Sequence, residues 1–446
     1  MTNPVATPPS DGSKLGHADR VDDDGGRPAK WKLVGPGLVV AATGVGAPDM
    51  VATLTAGSRY GYLLFWAVLV GVIMKIVLVE GAGRYTLATG YTIFEGWRSL
   101  GRWTTWYFAP YIVIWGFLYG ASAMSSSALP LAALFPGVPL TVWAVIMGLL
   151  GFVLVWFNHY AVFEKITAAL VGIMFVVVVI LAAIALPNVP EMINGLVPRI
   201  PEGGMFYTLA IAGGVGGTIT LAAYGYWLRE KGWYTPKWMR VMKLDNTMAY
   251  VMTGIFVISM LIVGAEVVRA AGVTLGANDE GLLDLGGVLE ARYGAVIGKA
   301  FLVGFWAAAF SSLIGVWNGV SLMFADFVGN MKGLDSDHPD TRVGGRYFKW
   351  YILWLTFPPM VFLVVQNMLG FSTPILLILL YGVLGSLFMP FMALTNLGLL
   401  NGRRIPTRWR NNVIQNILLG ICTVLFVVLG GYQVWQAIMS ALKQLR

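Results

Sequence analysis

The sequence is poor in the residues that soluble domains and disulfide frameworks need. Charged residues make up 12% of its 446 positions, whereas soluble domains carry about a quarter. Because 57% of the residues are hydrophobic, a soluble fold could not cover its apolar surface. The single cysteine, Cys422, lies in an apolar run and excludes an intrachain disulfide. These shortages indicate a protein whose solvent is lipid.

Motifs of enzymes are missing as well. The chain has no phosphate-binding loop, no CxxC pair and no nucleophile triad, and its three histidines fall in the amino-terminal tail or near loops. We therefore predict neither catalysis nor a cofactor. Residues 1–30 contain no apolar segment of the kind found in a cleavable signal peptide. Their richness in Pro, Gly and Asp predicts a disordered cytoplasmic tail.

From Trp31 onward, apolar runs long enough to cross a bilayer as helices follow one another. We predict an all-α integral membrane protein with a single transmembrane domain at 31–440 and the lipid bilayer as its surroundings, without an obligate protein partner. Its eleven predicted spans are 35–57, 61–83, 104–130, 138–158, 164–187, 206–228, 245–268, 295–325, 347–367, 373–396 and 411–440.

The net charge of +8 could suggest nucleic-acid binding, but its distribution indicates a membrane topology instead. If the amino terminus is cytoplasmic, 22 of the 30 Lys and Arg residues fall on that side and seven on the other. Cytoplasmic loops are enriched in such cations. We therefore predict a cytoplasmic amino terminus, an external carboxyl terminus and no nucleic-acid partner.

Two spans contain residues that interrupt helices. The first carries Gly44, Gly46, Pro48 and Asp49 in its middle, and the sixth carries four glycines within 213–217, followed by Thr218 and Thr220. Such costly residues are tolerated where irregular backbone is buried in protein or lines a cavity. A kinked packing helix, or close packing through small residues, is the simpler alternative for each.

Spans one and six occupy corresponding positions in two five-span halves. This is the pattern of an inverted-repeat transporter with its binding site near the middle of the membrane. We place repeat one at about 35–187, repeat two at about 206–396 and an extra helix at about 411–440. Hydroxyl residues on the third and eighth spans, around Ser122 and Ser312, line a path or serve only packing.

Four segments of the chain carry a family resemblance: GPGLVVAATGVGAPDMVATLTAGSRYGY, GGVGGTITLAAYGYWLREKGW, MKLDNTMAYVMTG and WAAAFSSLIGVWNGVSLMFADF. They resemble the Nramp family of divalent-metal transporters, with most similarity to a divergent bacterial branch. The resemblance extends over most of residues 33–400. It implies a leucine-transporter-type fold of two inverted five-helix repeats with broken helices 1 and 6. It also implies residence in a bacterial inner membrane.

The resemblance also implies a metal site, from which this sequence departs. The family's Asp-Pro-Gly-Asn signature aligns with Gly46-Ala47-Pro48-Asp49, and its Met-Pro-His with Thr220-Leu221-Ala222. The carbonyls that would coordinate align with Thr43 and Gly217. We therefore expect Asp49 and Thr220 as side-chain ligands of the transported metal ion, with Thr43, Gly217 and Gly46 around them.

A site of carboxylate, hydroxyl and carbonyl oxygens suits Mg²⁺ or Mn²⁺ better than soft metals. Against this, one carboxylate is little charge for a divalent ion. The same fold elsewhere carries amino acids and amines, so a small organic substrate remains the alternative. An open channel or a receptor fits the paired broken helices less well than alternating access does.

Further expectations concern coupling and gating. The resemblance places the family's two proton-moving acids at Ala121 and Met124, so we expect weak or no proton coupling. Tyr224, Trp227 and Lys75 are candidates for a gate or cavity lining, with packing as the alternative for the aromatics and snorkelling or a carbonyl bond for Lys75.

Two predictions concern polar residues near the helix ends. Glu80, Arg84 and Asp326 are expected to form an ion-pair network that closes the cytoplasmic side. Asp245, which begins the seventh predicted span after a basic loop, is expected to cap a helix rather than bind a ligand.

Overall fold

The computed structural model describes residues 36–44, 46–157, 160–214, 217–269, 279–335, 338–370 and 374–444. The predicted tail at 1–30 lies outside this part of the chain. Sixteen α-helices are found in the described ranges. They are α1 (Pro36–Gly44), α2 (Ala47–Tyr60), α3 (Phe65–Thr89), α4 (Ile93–Leu100), α5 (Arg102–Leu134), α6 (Leu140–Phe157), α7 (Tyr160–Ile184), α8 (Val189–Asn194), α9 (Met205–Leu209), α10 (Thr220–Glu230), α11 (Met239–Val263), α12 (Asp279–Tyr293), α13 (Ala295–Met331), α14 (Arg346–Met368), α15 (Pro374–Asn401) and α16 (Val413–Gln444).

Each of the eleven predicted spans contains helix. Within the described residues, seven helices are long and apolar enough to cross a membrane. The interrupted spans fall short on length: α1 has nine residues and α10 has eleven. Eleven therefore remains the predicted number of crossings.

Both predicted interruptions are present in the backbone. The first span divides into α1, which ends at Gly44, and α2, which begins at Ala47. The sixth consists of α9, a π-helical turn at Ala210–Gly214 and, after a break, α10. Helix ends therefore lie within the first and sixth spans rather than only at the ends of those spans.

Three helices were not foreseen because they are short or lack a long apolar run. Helix α4 is amphipathic, with Ile93, Phe94, Gly96 and Trp97 buried. Thr92 and Glu95 form a capping box at its start, which fixes where this helix begins. Helices α8 and α12 are the other two, in the loops before the sixth and eighth predicted spans.

Helices α5 and α13 form the centre of the bundle, and each packs on several others. Helix α13 contacts α5, α7 and α14, while α5 also contacts α6 and α15. Helix α11 lies against α1, α2 and α3 and so encloses the first broken span from another side. The broken helices are thereby surrounded by continuous ones.

Candidate functional site

The first break follows from its residue types. Helix α1 ends at Gly44, and Pro48 lies in the first turn of α2, where its missing N–H costs nothing. The backbone N–H of Met50 donates to the Gly46 carbonyl at 3.1 Å and starts the new helix. The last carbonyls of α1 therefore have no partner within their own helix.

Thr43 is buried and lies in the last turn of α1, where the carbonyls have no partner within the helix. Its hydroxyl donates to the Val40 carbonyl at 2.7 Å, and its own carbonyl accepts a bond from Ser312 Oγ at 3.2 Å. The predicted carbonyl ligand thus points toward the serines of α13. One of its two lone pairs stays available for another donor or an ion.

Asp49 lies in the first turn of α2, where the partial positive charge of a helix amino terminus favours a carboxylate. Its side chain is outside the described part of the structure. The assignment of Asp49 as the metal ligand therefore stays a prediction.

The second break presents the other half of the site. Gly217 has φ +94°, a backbone conformation that side chains with a Cβ rarely adopt. Thr220 is the first residue of α10 and is 1% exposed. Its hydroxyl has no hydrogen-bond partner among the described residues. The assignment of Thr220 as a metal ligand stays a prediction.

The two breaks lie beside each other. Helix α1 packs on α10, and α2 packs on the π-helical turn. Helix α3 closes one side, where Gly71 is needed because a Cβ there would lie 2.9 Å from the Ala212 carbonyl oxygen. The structure therefore brings Thr43 and Gly46 into the same region as Gly217 and Thr220.

Two tyrosines that were not predicted from the sequence join the breaks. Tyr119 OH donates to the Ser312 carbonyl at 3.0 Å, and Ser312 in turn bonds to Thr43. Tyr381 OH is 3.5 Å from Thr218 Oγ1, and the Tyr119 and Tyr381 ring centroids are 5.1 Å apart. Their spans gave no signal, because aromatic residues are frequent throughout this chain.

Lys75 does not snorkel. It lies in the middle of α3, is 1% exposed, and its ammonium nitrogen is buried. Snorkelling is wrong because the ammonium does not reach an aqueous boundary. Lys75 instead lies inside the bundle, on the same helix as Gly71, which touches the second break. Its assignment as a gate or lining residue stays a prediction.

Tyr224 and Trp227 are fully buried and hold helices together. Tyr224 OH donates to Asp245 Oδ2 at 2.9 Å, and Trp227 Nε1 donates to Asn318 Oδ1 at 3.1 Å. Their assignment as gate or lining residues stays a prediction. Tyr226 lines a cavity of about 380 Å³ together with Asp326 and Arg229. This cavity lies at the end of the bundle that is predicted to be cytoplasmic and carries most of the lysines and arginines, which we call the basic end.

Asp245 caps a helix, as expected, but the helix is α1 rather than its own. Its Oδ2 accepts the backbone N–H of Gly37 at 2.6 Å. With the Tyr224 bond, one carboxylate oxygen connects α1, α10 and α11. The first half-helix is thereby anchored to the second broken span.

The predicted ion-pair network holds for two of its three members. Arg84 pairs with Glu80 at 3.2 Å, and Lys243 adds a second cation to Glu80, also at 3.2 Å. Asp326 does not join them, because its carboxylate accepts Tyr226 OH at 2.7 Å at another point of the bundle. The grouping of Asp326 with this network is therefore wrong.

Ala121 and Met124, which align with the family's two proton-moving acids, pack in the interior of the bundle. Ala121 and Met124 are both fully buried. The Met124 sulfur lies against Gly148 of α6. Ala222, at the aligned histidine position, is also fully buried in α10. None of these three side chains can take up a proton near neutral pH.

The chain is similar in sequence to a known protein family and to characterised members of it. Residues 37–436 match the profile of the family described as natural resistance-associated macrophage protein-like. The divalent metal cation transporter MntH of Chromohalobacter salexigens is 25% identical over 322 residues, which cover 67% of this chain and 72% of the relative. MntH of Mycobacterium tuberculosis is 24% identical over 328 residues, covering 70% and 74%.

Solved structures share the fold at low sequence identity. The Eremococcus coleocola manganese transporter, in complex with an aromatic bis-isothiourea substituted compound, superposes with a TM-score of 0.75 and 16% identity, covering 91% of this chain and 87% of that one. MhsT in complex with L-phenylalanine gives a TM-score of 0.56 and 14% identity, covering 91% and 98%. The architecture is the leucine-transporter type implied by the sequence.

Proposed function

Because the chain belongs to the natural resistance-associated macrophage protein (Nramp) family of divalent-metal transporters, we propose that it carries hard divalent cations, with Mg²⁺ or Mn²⁺ favoured, by alternating access. The observation that carries the proposal is the oxygen donor set at the two breaks. Thr220 offers a buried hydroxyl without a described partner, and Thr43 offers a carbonyl at an interrupted helix end. Asp49 would supply the charge.

The energetics of Thr220 support a bound ion. Leaving a buried hydroxyl unsatisfied costs about 1–3 kcal/mol. An ion, or a water in its hydration shell, would remove that cost, and Mg²⁺ keeps several waters when it binds protein. At the aligned positions of a family methionine and histidine, this chain has Thr220 and Ala222, so no thioether or imidazole favours a soft metal there.

Weak or absent proton coupling is part of the proposal. The buried Ala121, Met124 and Ala222 leave no titratable group at the aligned positions. The cation bias between loops supports a cytoplasmic amino terminus in a bacterial inner membrane. Uptake would then be driven by the ion gradient and the membrane potential.

A second candidate is a small organic substrate such as an amino acid or amine. The aromatic group of Trp115, Tyr119 and Tyr381 favours it, since it lies beside both breaks and could stack on a substrate. The likeness to MhsT, solved with L-phenylalanine, supports the same fold for such a carrier.

The test is uptake by purified protein in proteoliposomes. We expect Mn²⁺ and Mg²⁺ uptake to exceed Cd²⁺ uptake, and Asp49→Ala to abolish it. Glu202→Gln, which neutralises an exposed loop carboxylate, is the matched control and should transport normally. Strong Cd²⁺ transport would contradict the oxygen-only site. Stabilisation by amino acids or amines, with none by divalent ions, would favour the second candidate.

A further inference from the structure

A cavity of about 280 Å³ lies at the basic end of the bundle, between α4, the start of α5 and the end of α13. We call it the arginine cavity. Its floor is aromatic, formed by Phe94, Trp97, Phe108 and Phe327. Arg98, Arg102, Trp106, Asn330 and Met331 also line it. None of its lining residues belongs to the proposed ion site.

The charges of the arginine cavity have one sign. Arg98 and Arg102 line it, and no carboxylate among the described residues does. Arg98 Nη1 donates to the Asn330 carbonyl at 2.8 Å, which fixes the guanidinium at the rim while using one of its five N–H donors. Arg102 is the first residue of the 33-residue helix α5, whose amino terminus adds partial positive charge.

The outer rim of the cavity is apolar and exposed. Trp106 is 78% exposed and Met331 63%. Beyond Trp106, the exposed face of α5 continues along the bundle with Val113 and Ile114. Tryptophans of membrane proteins concentrate at the level where headgroups and acyl chains meet, and the exposed Trp106 is consistent with that level for this rim.

A second, smaller cavity repeats the chemistry on the other side of α4. Its volume is about 190 Å³, and it includes Ser99 and Leu100 at the end of α4 together with Arg403 and Arg404. Again its lining, within the part of the chain that the structure describes, includes no carboxylate. The end of this short amphipathic helix therefore lies between two pairs of arginines.

We propose that the arginine cavity binds the headgroup of an anionic phospholipid. The Arg98 and Arg102 guanidiniums would hold its phosphate, because their planar donor pairs match phosphate oxygens. An acyl chain would follow the apolar face of α5 past Trp106. Arg403 and Arg404 add attraction for the same anionic leaflet. The site is independent of which ion the protein carries.

The experiment measures lipid retention by native mass spectrometry during titration with dioleoyl phosphatidylglycerol or dioleoyl phosphatidylcholine. We expect the wild-type protein to retain the phosphatidylglycerol preferentially. Arg98→Gln with Arg102→Gln should weaken that binding about tenfold or more, since each cation near a membrane surface contributes about fivefold. The single variant Arg102→Gln, which alters an exposed side chain, covers the case in which the double variant fails to fold.

The matched control is Lys237→Gln with Arg240→Gln, which removes two exposed cations from the same end of the bundle without touching either cavity. Retention that falls only in the arginine variants supports the site. Equal loss in the control would overturn it in favour of diffuse attraction, and unchanged retention in the arginine variants would also overturn it. Full competition by soluble glycerol phosphate would show a small-anion site and overturn lipid binding.

Discussion

At the scale of single residues, Thr220 allows the donor set to be tested one atom at a time. Thr220→Val keeps the shape of the side chain and removes a hydroxyl that has no described partner. We expect Mn²⁺ uptake to fall about tenfold or more, since losing even a group that only supports a metal ligand costs about 10–100-fold. The free energy of unfolding should stay equal or rise by about 1 kcal/mol, because an unsatisfied buried group is removed.

Thr395→Val is the control for this experiment. Thr395 is equally buried, but its hydroxyl donates to the Met392 carbonyl of its own helix at 3.1 Å. Its loss should leave transport unchanged. Uptake that is normal in the Thr220 variant would remove this hydroxyl from the ion site.

Gly217 tests the backbone of the second break. Its φ of +94° is strained for any residue with a Cβ, so Gly217→Ala should destabilise the protein by about 1–2 kcal/mol. Turning this peptide would also redirect a predicted carbonyl ligand, and we expect uptake to fall. Gly172→Ala in α7 is the matched control, since nothing lies within 4 Å of the added methyl group. Thermal unfolding and uptake rates together check the prediction, and equal effects at both glycines would refute it.

At the scale of helices, Asp245 is expected to hold α1 in place. Asp245→Ala leaves the buried Gly37 N–H without its acceptor, while the Tyr224 hydroxyl keeps its bond to the Met242 carbonyl at 3.2 Å. The expected cost is about 1–3 kcal/mol. Hydrogen exchange of the backbone at 36–40 should therefore become faster. Tyr224→Phe removes only one of the two bonds and should have a smaller effect. Unchanged exchange in the alanine variant would show that α1 is held by packing alone.

The same elements show what sequence could and could not predict. Hydropathy predicted the spans because a bilayer needs long apolar helices, and Gly44, Gly46 and Gly217 marked the breaks because those residue types disfavour helix. The bond from Gly37 to Asp245 joins positions 208 residues apart. No local periodicity encodes such a contact, and the pairing of Tyr119 with Ser312 was missed for the same reason.

At the scale of the whole molecule, the charge carried per transport cycle is the quantity to measure. A cation moving inward gains about 2.3 kcal/mol per charge per 100 mV, or about 4.6 kcal/mol for a divalent ion. A carrier with Ala121, Met124 and Ala222 at the aligned proton-moving positions has no protonatable side chain there to use. Uptake should therefore respond to voltage without moving protons.

Proteoliposomes with a trapped pH dye and a potassium-set potential test this directly. We expect Mn²⁺ uptake to increase as the interior becomes more negative, with little or no internal acidification. The Asp49→Ala protein, which we expect not to transport, is reconstituted at equal density and measures the proton leak through inactive carrier. Acidification of one proton or more per ion, above that leak, would establish coupling by a route other than the three aligned positions. Voltage dependence without acidification would instead establish that the electrical gradient alone is sufficient.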